Sequence, residues 1–359
     1  MSGTLSDDCV ILLGAGASAD ADIPISIGLN RVIRERLKKE YKEDSLPRRL
    51  FNYLIGAIYY HRGINNRDPE EFAVNIEEII SSIRKLKERD TEFISAFVGS
   101  WNEKLSHFSR ELLDDIEEKL ILWVAELLDQ RNPTKVSYLT WFGKLQDKHG
   151  SSPLNIFTLN HDRALEFALD EAGLSYCKGF KYSIDEDSSL GTWNPELFED
   201  RENLINVYKL HGSLGWSKDE STGQICDSKY FNVSDPHLMI FGVLEKVTIE
   251  EPFFELINRF KQKARRARLI VTIGYGYADE HINSVLVESL RGDTGKRLLI
   301  VDTEPEKKIH FLRKHYGQDL NLELIARLDK GYKTKELFVG DILDKKIEQL
   351  LSEVSQSPF

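Results

Sequence analysis

The 359-residue chain has little cysteine: Cys9, Cys177 and Cys226 stand far apart, with no CxxC pair and no nearby histidine at ligand spacing. That excludes a disulfide framework and argues against a structural zinc site, since both need clustered ligands. An excess of positive charge is also missing. Lys and Arg total 48 against 59 Asp and Glu, a formal charge of −11. A phosphate-backbone binder carries the opposite balance, so direct nucleic-acid binding is not expected. Long apolar runs are absent too, because Leu50 to Tyr60 and Leu269 to Ala278 are too short to span a bilayer. The opening MSGTLSDD has neither the basic nor the apolar region of a signal peptide, so a cytoplasmic location is the expectation. With no internal repeat and no low-complexity linker, what remains is a globular chain of about two domains at roughly 150 residues each.

What the chain does have is a series of short apolar runs. CVILL (Cys9 to Leu13) stops at a glycine turn, and similar runs follow at Leu154 to Leu159, Leu204 to Leu210, His237 to Phe241, Leu269 to Gly274 and Arg297 to Asp302. Most precede helical patterns, which predicts an α/β fold with a Rossmann-like parallel sheet covered on both faces. Between the first two runs lies a long stretch with helical period only, too long for a simple crossover. Phe72, Ile76, Ile79, Ile80 and Ile83 repeat at helix spacing after an N-cap signal at Asp68-Pro69, and Leu105 to Leu127 repeat again before Asn132-Pro133 ends that helix. The expected organisation is a discontinuous sheet domain at 1–30 and 150–320, an inserted helical module at 31–149, and a terminal strand and helix at 321–359.

Five clusters fall at the carboxyl ends of predicted strands, where open α/β sheets bind ligands. Gly14-Ala15-Gly16-Ala17-Ser18-Ala19 fits GxGxx(G/A), the setting in which small residues let a backbone approach a pyrophosphate at a helix N-terminus. It can equally be a turn that packs a helix on a strand, and the acid expected roughly 20 residues on is missing from its place, which argues against an ordinary dehydrogenase. Thr158-Leu159-Asn160-His161-Asp162 offers an amide and a carboxylate, or simply a cap for the next helix. His211, followed by Gly212, is sterically open to a ligand unless it is structural. Gly274-Tyr275-Gly276 forms a second glycine turn, and Asp302 can accept from a ribose or cap the helix near Pro305. Each cluster is ambiguous alone, but independent structural accidents rarely align at one end of five strands.

The combination resembles the sirtuin-like family, in particular its divergent bacterial branch that hydrolyses NAD in antiviral defence. The matching pieces are GAGAS (Gly14 to Ser18) with DIP (Asp22 to Pro24), TLNHD (Thr158 to Asp162), LHGS (Leu210 to Ser213), DPHLMIFG (Asp235 to Gly242), GYGYAD (Gly274 to Asp279) and IVD (Ile300 to Asp302), in the family's order. The resemblance implies that Gly14, Ala15, Gly16 and Ser18 hold the pyrophosphate of NAD. It further implies that Asn160 contacts the nicotinamide ribose, Asp162 the nicotinamide amide, His211 acts as base, and Gly274, Tyr275 and Asp302 cover the adenosine ribose. Three departures matter. The two CxxC pairs of the deacylase branch are missing, the usual Gln is Leu159, and the usual Phe-Arg after the IPD motif is absent from Ile23-Pro24-Ile25-Ser26. Protein deacylation is thereby put in doubt, while NAD binding is not.

The function implied is an NAD glycohydrolase, an effector of abortive infection that needs no metal and releases nicotinamide and ADP-ribose. A non-catalytic NAD or ADP-ribose sensor explains the pocket but makes His211 incidental; a deacylase or oxidoreductase explains the glycine turn but lacks the groove or the ribose acid. Control is expected through assembly, as a homo-oligomer with a surface on the helical module, and the resemblance implies a HerA-type ATPase as a partner.

Overall fold

A computed structural model describes residues 8–64, 74–88, 107–149, 153–182, 190–219, 221–230, 238–239, 251–291, 295–317, 320, 322–323 and 342–356. The chain divides into two compact units, one of residues 1–23, 129–239 and 247–359, the other of residues 24–128 and 240–246.

The first unit is built on a seven-stranded sheet. Its strands are β1 (Cys9–Leu13), β2 (Leu154–Thr158), β3 (Tyr176–Cys177), β6 (Ile205–Lys209), β11 (Leu269–Ile273), β12 (Arg297–Val301) and β13 (Leu322–Glu323), in the order β13-β12-β11-β1-β2-β6-β3. Every neighbouring pair is parallel. Apolar, β-branched runs form the central strands because both faces are covered, and β1, β2, β6 and β11 are buried at every position. Register shows which helix covers which face. Phe157 lies opposite Tyr208, so their rings share a face and stack 4.3 Å apart, with Phe260 of the helix Phe253–Arg266 at 5.0 Å from Phe157. The next residue in β6, Lys209, points the other way and pairs with Glu166 of the helix Ala164–Glu171. The expected Rossmann-like α/β sheet with helices on both faces is what the chain forms.

Chain order places β1 at the centre, with β2, β6 and β3 on one side and β11, β12 and β13 on the other. The connections therefore reverse direction across β1, the arrangement that opens a crevice at the strands' carboxyl ends.

Two features depart from the sequence reading. The run at His237 to Phe241 was expected in the parallel sheet; its described part, β10 (Leu238–Met239), instead pairs antiparallel with β7 (Gly212–Ser213) in a separate two-stranded sheet. A further four-stranded antiparallel sheet has no counterpart in that reading. It consists of β4 (Phe180–Tyr182), β5 (Leu190–Trp193), β9 (Ile225–Ser228) and β8 (Trp216–Lys218), in that order. These strands are too short to carry a clear period, and they hold together through the rings of Phe180, Trp193 and Trp216, with centroids 5.1 to 5.3 Å from Phe180, and through a buried ion pair, Lys178 to Asp227 at 2.6 Å.

The second unit is helical: α1 (Ser26–Glu40), α2 (Leu46–Ile64), α3 (Ile76–Glu88) and α4 (Arg110–Leu128). The predicted N-cap at Asp68-Pro69, Phe72 and the beginning of the Leu105 repeat lie outside the described residues. Asn75 begins α3 instead, in a reciprocal cap: its side chain accepts from the Glu78 amide at 2.8 Å while Glu78 accepts from the Asn75 amide at 3.0 Å. Ile76, Ile79, Ile80 and Ile83 face the interior with Leu113, Ile116, Leu120 and Val124 of α4, as the 3.6-residue period requires. Residues 129–149, which the sequence reading put in the insertion, group with the sheet unit. Asn132 does not terminate the preceding helix, which stops at Leu128; it caps a new turn at Pro133–Val136 by accepting from the Thr134 amide.

Candidate functional site

The two glycine turns, after β1 and after β11, are locked together through their backbones. Gly14 N–H donates to Ile273 O and Gly16 N–H to Gly274 O, both at 2.9 Å. Gly274 has φ +62°, and a Cβ there would lie 2.3 Å from Ala17 N; a Cβ on Gly16 would lie 2.7 Å from Gly274 Cα. Glycine is required at these positions because two loops on neighbouring strands meet backbone to backbone. The motif therefore has a structural reason independent of any pyrophosphate. Ala15 to Ala21 form a 3-10 helix rather than the α-helix that the motif usually opens.

Beside this pair of turns, the end of β2 is tied to the first. Asn160 Nδ2 donates to Gly14 O and to Ser18 Oγ, each at 3.1 Å. Because a main-chain carbonyl only accepts, the Gly14 contact fixes which end of the amide faces the turn. The Asn160 side-chain carbonyl accepts no hydrogen bond among the described residues, so it can take one from a water or hydroxyl. Ser18 Oγ in turn donates to Asp162 Oδ1 at 3.3 Å, and the same carboxylate oxygen accepts from the Ala164 amide at 3.0 Å. Asp162 thus stands one residue ahead of Arg163, the N-cap of the following helix, and takes up that helix's first amide. Burial pushes its carboxyl up from the ordinary value, against the pull of Lys209, whose ammonium donates to the Asp162 carbonyl at 2.5 Å.

His211, at the end of β6, is not open in the way its glycine neighbour suggested. It is 4% exposed, and its Nε2 lies 3.1 Å from Asp279 Oδ2. The other carboxylate oxygen of Asp279 accepts from the amides of His281 and Ile282 at 3.0 and 3.3 Å, the first turn of the helix Glu280–Arg291. Sequence reasoning placed Asp279 at the end of the GYGYAD motif but gave it no role; a carboxylate at a helix N-cap at the same edge as a strand-end histidine was the available signal. The His161 ring is 6.1 Å from that of His211.

Tyr275, expected near an adenosine ribose, is 5% exposed and turns its hydroxyl inward, to the Asp279 carbonyl at 3.2 Å and to Asn283 Oδ1 at 2.9 Å. Asp302 is half-buried and accepts from the Glu304 amide at 2.9 Å, in a turn just ahead of the helix Pro305–Tyr316, whose N-cap is Glu304 rather than Asp302. Gly276, between them, is exposed, with no atom within 4 Å of where a Cβ would stand.

All five clusters therefore end neighbouring parallel strands at one edge of the sheet. Close contacts join Gly14, Gly16 and Gly274 to one another, Asn160 and Asp162 to the first turn, and His211 and Tyr275 to Asp279. Of the motif at Asp235 to Gly242 only Leu238 and Met239 are among the described residues. The three cysteines are buried thiols, and burial pushes the Cys9 thiol up to about 12. Among the described residues no three His, Cys, Asp or Glu side chains form a group able to hold a metal ion, and no helix is long and apolar enough to cross a membrane.

Residues 154–325, a little under half the chain, match the family model described as a SIR2-like domain. No curated protein matches. Among solved structures, a mutant Sir2 homologue in complex with 2'-O-acetyl ADP ribose is similar at TM-score 0.42 and 15% identity, over 98% of this chain and 94% of that one. A Sir2 homologue in complex with NAD follows at 0.41 and 13%, over 97% and 93%, and Sir2Tm bound to a propionylated peptide at 0.35 and 12%, over 95% and 94%.

Proposed function

We propose that this chain is an NAD glycohydrolase that cleaves NAD to nicotinamide and ADP-ribose. The observation that supports it most is the meeting of the two glycine turns with Asn160 at the carboxyl edge of the sheet, beside the point where strand order reverses, in a chain similar to a SIR2-like domain from residue 154 onward. Solved Sir2 homologues carry NAD and ADP-ribose, and the lack of paired CxxC motifs here argues for water rather than an acyl-lysine as the acceptor.

On this reading Gly14, Ala15, Gly16 and Ser18 lie along the pyrophosphate, Asp162 meets the nicotinamide amide, and Gly274, Tyr275 and Asp302 line the adenosine side, Tyr275 through its backbone because its hydroxyl is engaged inside. Nicotinamide leaves as a neutral base from a cationic glycosidic nitrogen, so the bond breaks through an oxocarbenium-like state with little acid assistance. The Asn160 carbonyl orients the attacking water. His211 takes the proton that the water, or a ribose hydroxyl, gives up as the new C–O bond forms. The protein's contribution is to hold the ribose while excluding the return of nicotinamide.

The test is nicotinamide release from NAD by purified protein, alone and with candidate activators. Turnover is expected without acylated peptide and in the presence of chelator, and Asn160→Ala and His211→Ala are expected to lower it by about 100-fold or more. Release only when acyl-lysine is supplied would overturn the reading. One observation favours the alternative of an NAD or ADP-ribose sensor: both Asn160 and His211 have structural work, on the glycine turn and on Asp279. Nucleotide binding with no nicotinamide from any assembly would favour it.

The same reading makes the chain a cytoplasmic effector of antiphage defence held inactive until it assembles, as a homo-oligomer and with a HerA-type ATPase. Tyr59, Tyr60 and Ile64, 39%, 72% and 61% exposed near the end of α2, form the candidate surface, while the long apolar stripes of α3 and α4 are spent on each other. Full turnover by a monomer in light scattering would remove the assembly argument.

A further inference from the structure

Asp279 divides its carboxylate between two tasks. Oδ1 accepts from two amides at the start of the helix Glu280–Arg291, and Oδ2 faces His211 Nε2 at 3.1 Å. Both side chains are 5% exposed. The two amide bonds orient the carboxylate, and the carboxylate in turn orients the imidazole. An ionised carboxylate only accepts hydrogen bonds, so the ring nitrogen it meets must carry the proton. Among the described residues, titratable groups near this contact include His161, whose ring is 6.1 Å from that of His211, Tyr275, which touches Asp279 through the carbonyl, and Tyr316, which feels the Asp279 charge.

We infer that Asp279 is a positioning residue for His211: it holds the imidazole as the Nε2–H tautomer, leaving Nδ1 as the nitrogen that accepts the proton in turnover. The inference rests on the reading of His211 as base, but its structural half stands apart from any activity. When Nδ1 takes a proton from water or a ribose hydroxyl, the resulting imidazolium is stabilised by the same carboxylate, and the proton passes to solvent or product as the ring returns to its neutral form.

The helix cap makes Asp279→Asn a sharp test. The backbone amides of His281 and Ile282 need an acceptor, so the Asn side-chain oxygen stays with them and its NH2 turns to His211 Nε2. The ring must then move its proton to Nδ1, the nitrogen needed as base. Asp279→Ala is less informative, because it removes the cap as well.

The first measurement is nitrogen NMR of the full chain labelled at its nine histidines, with the His211 signals assigned by their loss in His211→Gln. The neutral ring is expected as Nε2–H in the native protein and Nδ1–H in Asp279→Asn, with thermal melting little changed. The same tautomer in both proteins, or Nδ1–H in the native one, overturns the inference. The second is kinetics. Asp279→Asn is expected to lose about 100-fold in kcat with KM for NAD changed by less than about threefold, and residual activity should retain its acid limb at a pH lower by about one unit, because the carboxylate no longer favours the imidazolium. A tautomer switch with kcat unchanged also overturns it. If the native protein releases no nicotinamide under any condition, the proposed function fails while the NMR result still decides whether Asp279 sets the ring.

Discussion

The helical unit and the sheet unit differ in how deeply they bury paired charge. In the helical unit each described pair keeps at least one partner in reach of water: Arg62 meets Glu78 at 2.7 Å, Lys119 meets Glu40 at 2.5 Å, and the buried Glu117 joins the part-exposed Arg84 and Lys87 at 2.6 and 2.7 Å. The sheet unit has surface pairs of the same kind, such as Arg265 with Glu288 at 3.3 Å, but among the described residues it alone also holds interior ones. Lys209 and Glu166 sit 2.9 Å apart with side chains 1% exposed, and Lys178 meets Asp227 at 2.6 Å with exposures of 6% and 0%. Water screens the first kind and returns little stability, whereas the second kind pays desolvation and tolerates no missing partner. Interior charge is the costlier way to hold a fold, and here it stands behind the strand ends that carry Asn160, Asp162 and His211. Lys209 shows the connection: one ammonium serves Glu166 and the carbonyl of Asp162.

Removing Glu166 is the strongest way to break this contrast. Glu166→Ala leaves Lys209 buried without its carboxylate and is expected to cost about 3–5 kcal/mol in denaturant unfolding; a loss below about 1 kcal/mol would erase the distinction between the units. Burial alone would raise the Glu166 carboxyl, but Lys209, Lys178 and Arg163 outweigh it and hold it below its ordinary 4.5. The stability it contributes is therefore complete above that value and is lost as pH falls through the lower folded value. Native protein should show this acid loss and Glu166→Ala should not.

Next in size is the contact between the two glycine turns. Gly274→Ala puts a side chain 2.3 Å from Ala17 N at φ +62° and should cost about 2 kcal/mol or more, with weaker NAD binding measured by calorimetry. Gly276→Ala, in open space, should stay within about 0.5 kcal/mol. Equal effects at both positions would show that the turns do not depend on close approach.

Asp162→Asn separates stability from function. Burial raises the Asp162 carboxyl, so the folded state holds the proton to higher pH than the unfolded chain, and the ionised group weighs against folding as pH rises through that window. The Asn variant keeps an acceptor oxygen for the Ala164 amide and should melt no lower than native at neutral pH, while nicotinamide release falls by about tenfold or more. A clear drop in melting temperature would instead make the carboxylate's attraction to Lys209 the larger effect. Smallest of all, Glu126→Ala removes an exposed partner of Arg36 in the helical unit and should cost about 0.2–1 kcal/mol, less at high salt.

How far each region could be read in advance follows from range. The β1, β2, β6, β11 and β12 runs were readable because a doubly covered strand must be apolar at every position, and the α3 and α4 stripes because one helix face is buried. β10 was misassigned because a short apolar run has no period that states which sheet it joins. The sheet around Trp193 and Trp216 was missed because its strands are three or four residues long and depend on ring contacts between distant segments. Asn75 was overlooked as a cap beside the stronger Asp-Pro signal a few residues earlier.

The sequence by itself determined the sheet class, the strands that build its centre, and the alignment of Gly14, Asn160, His211, Gly274 and Asp302 at strand ends, since parallel order places the carboxyl ends of neighbouring strands on one edge. Tertiary structure alone decided what those residues touch: that Gly14 and Gly16 face Gly274, that Asn160 turns its amide to the Gly14 carbonyl, and that His211 is held by Asp279. Burial and periodicity are written locally in the chain, residue by residue. A hydrogen bond between side chains 68 positions apart exists only once the sheet has brought their strands together.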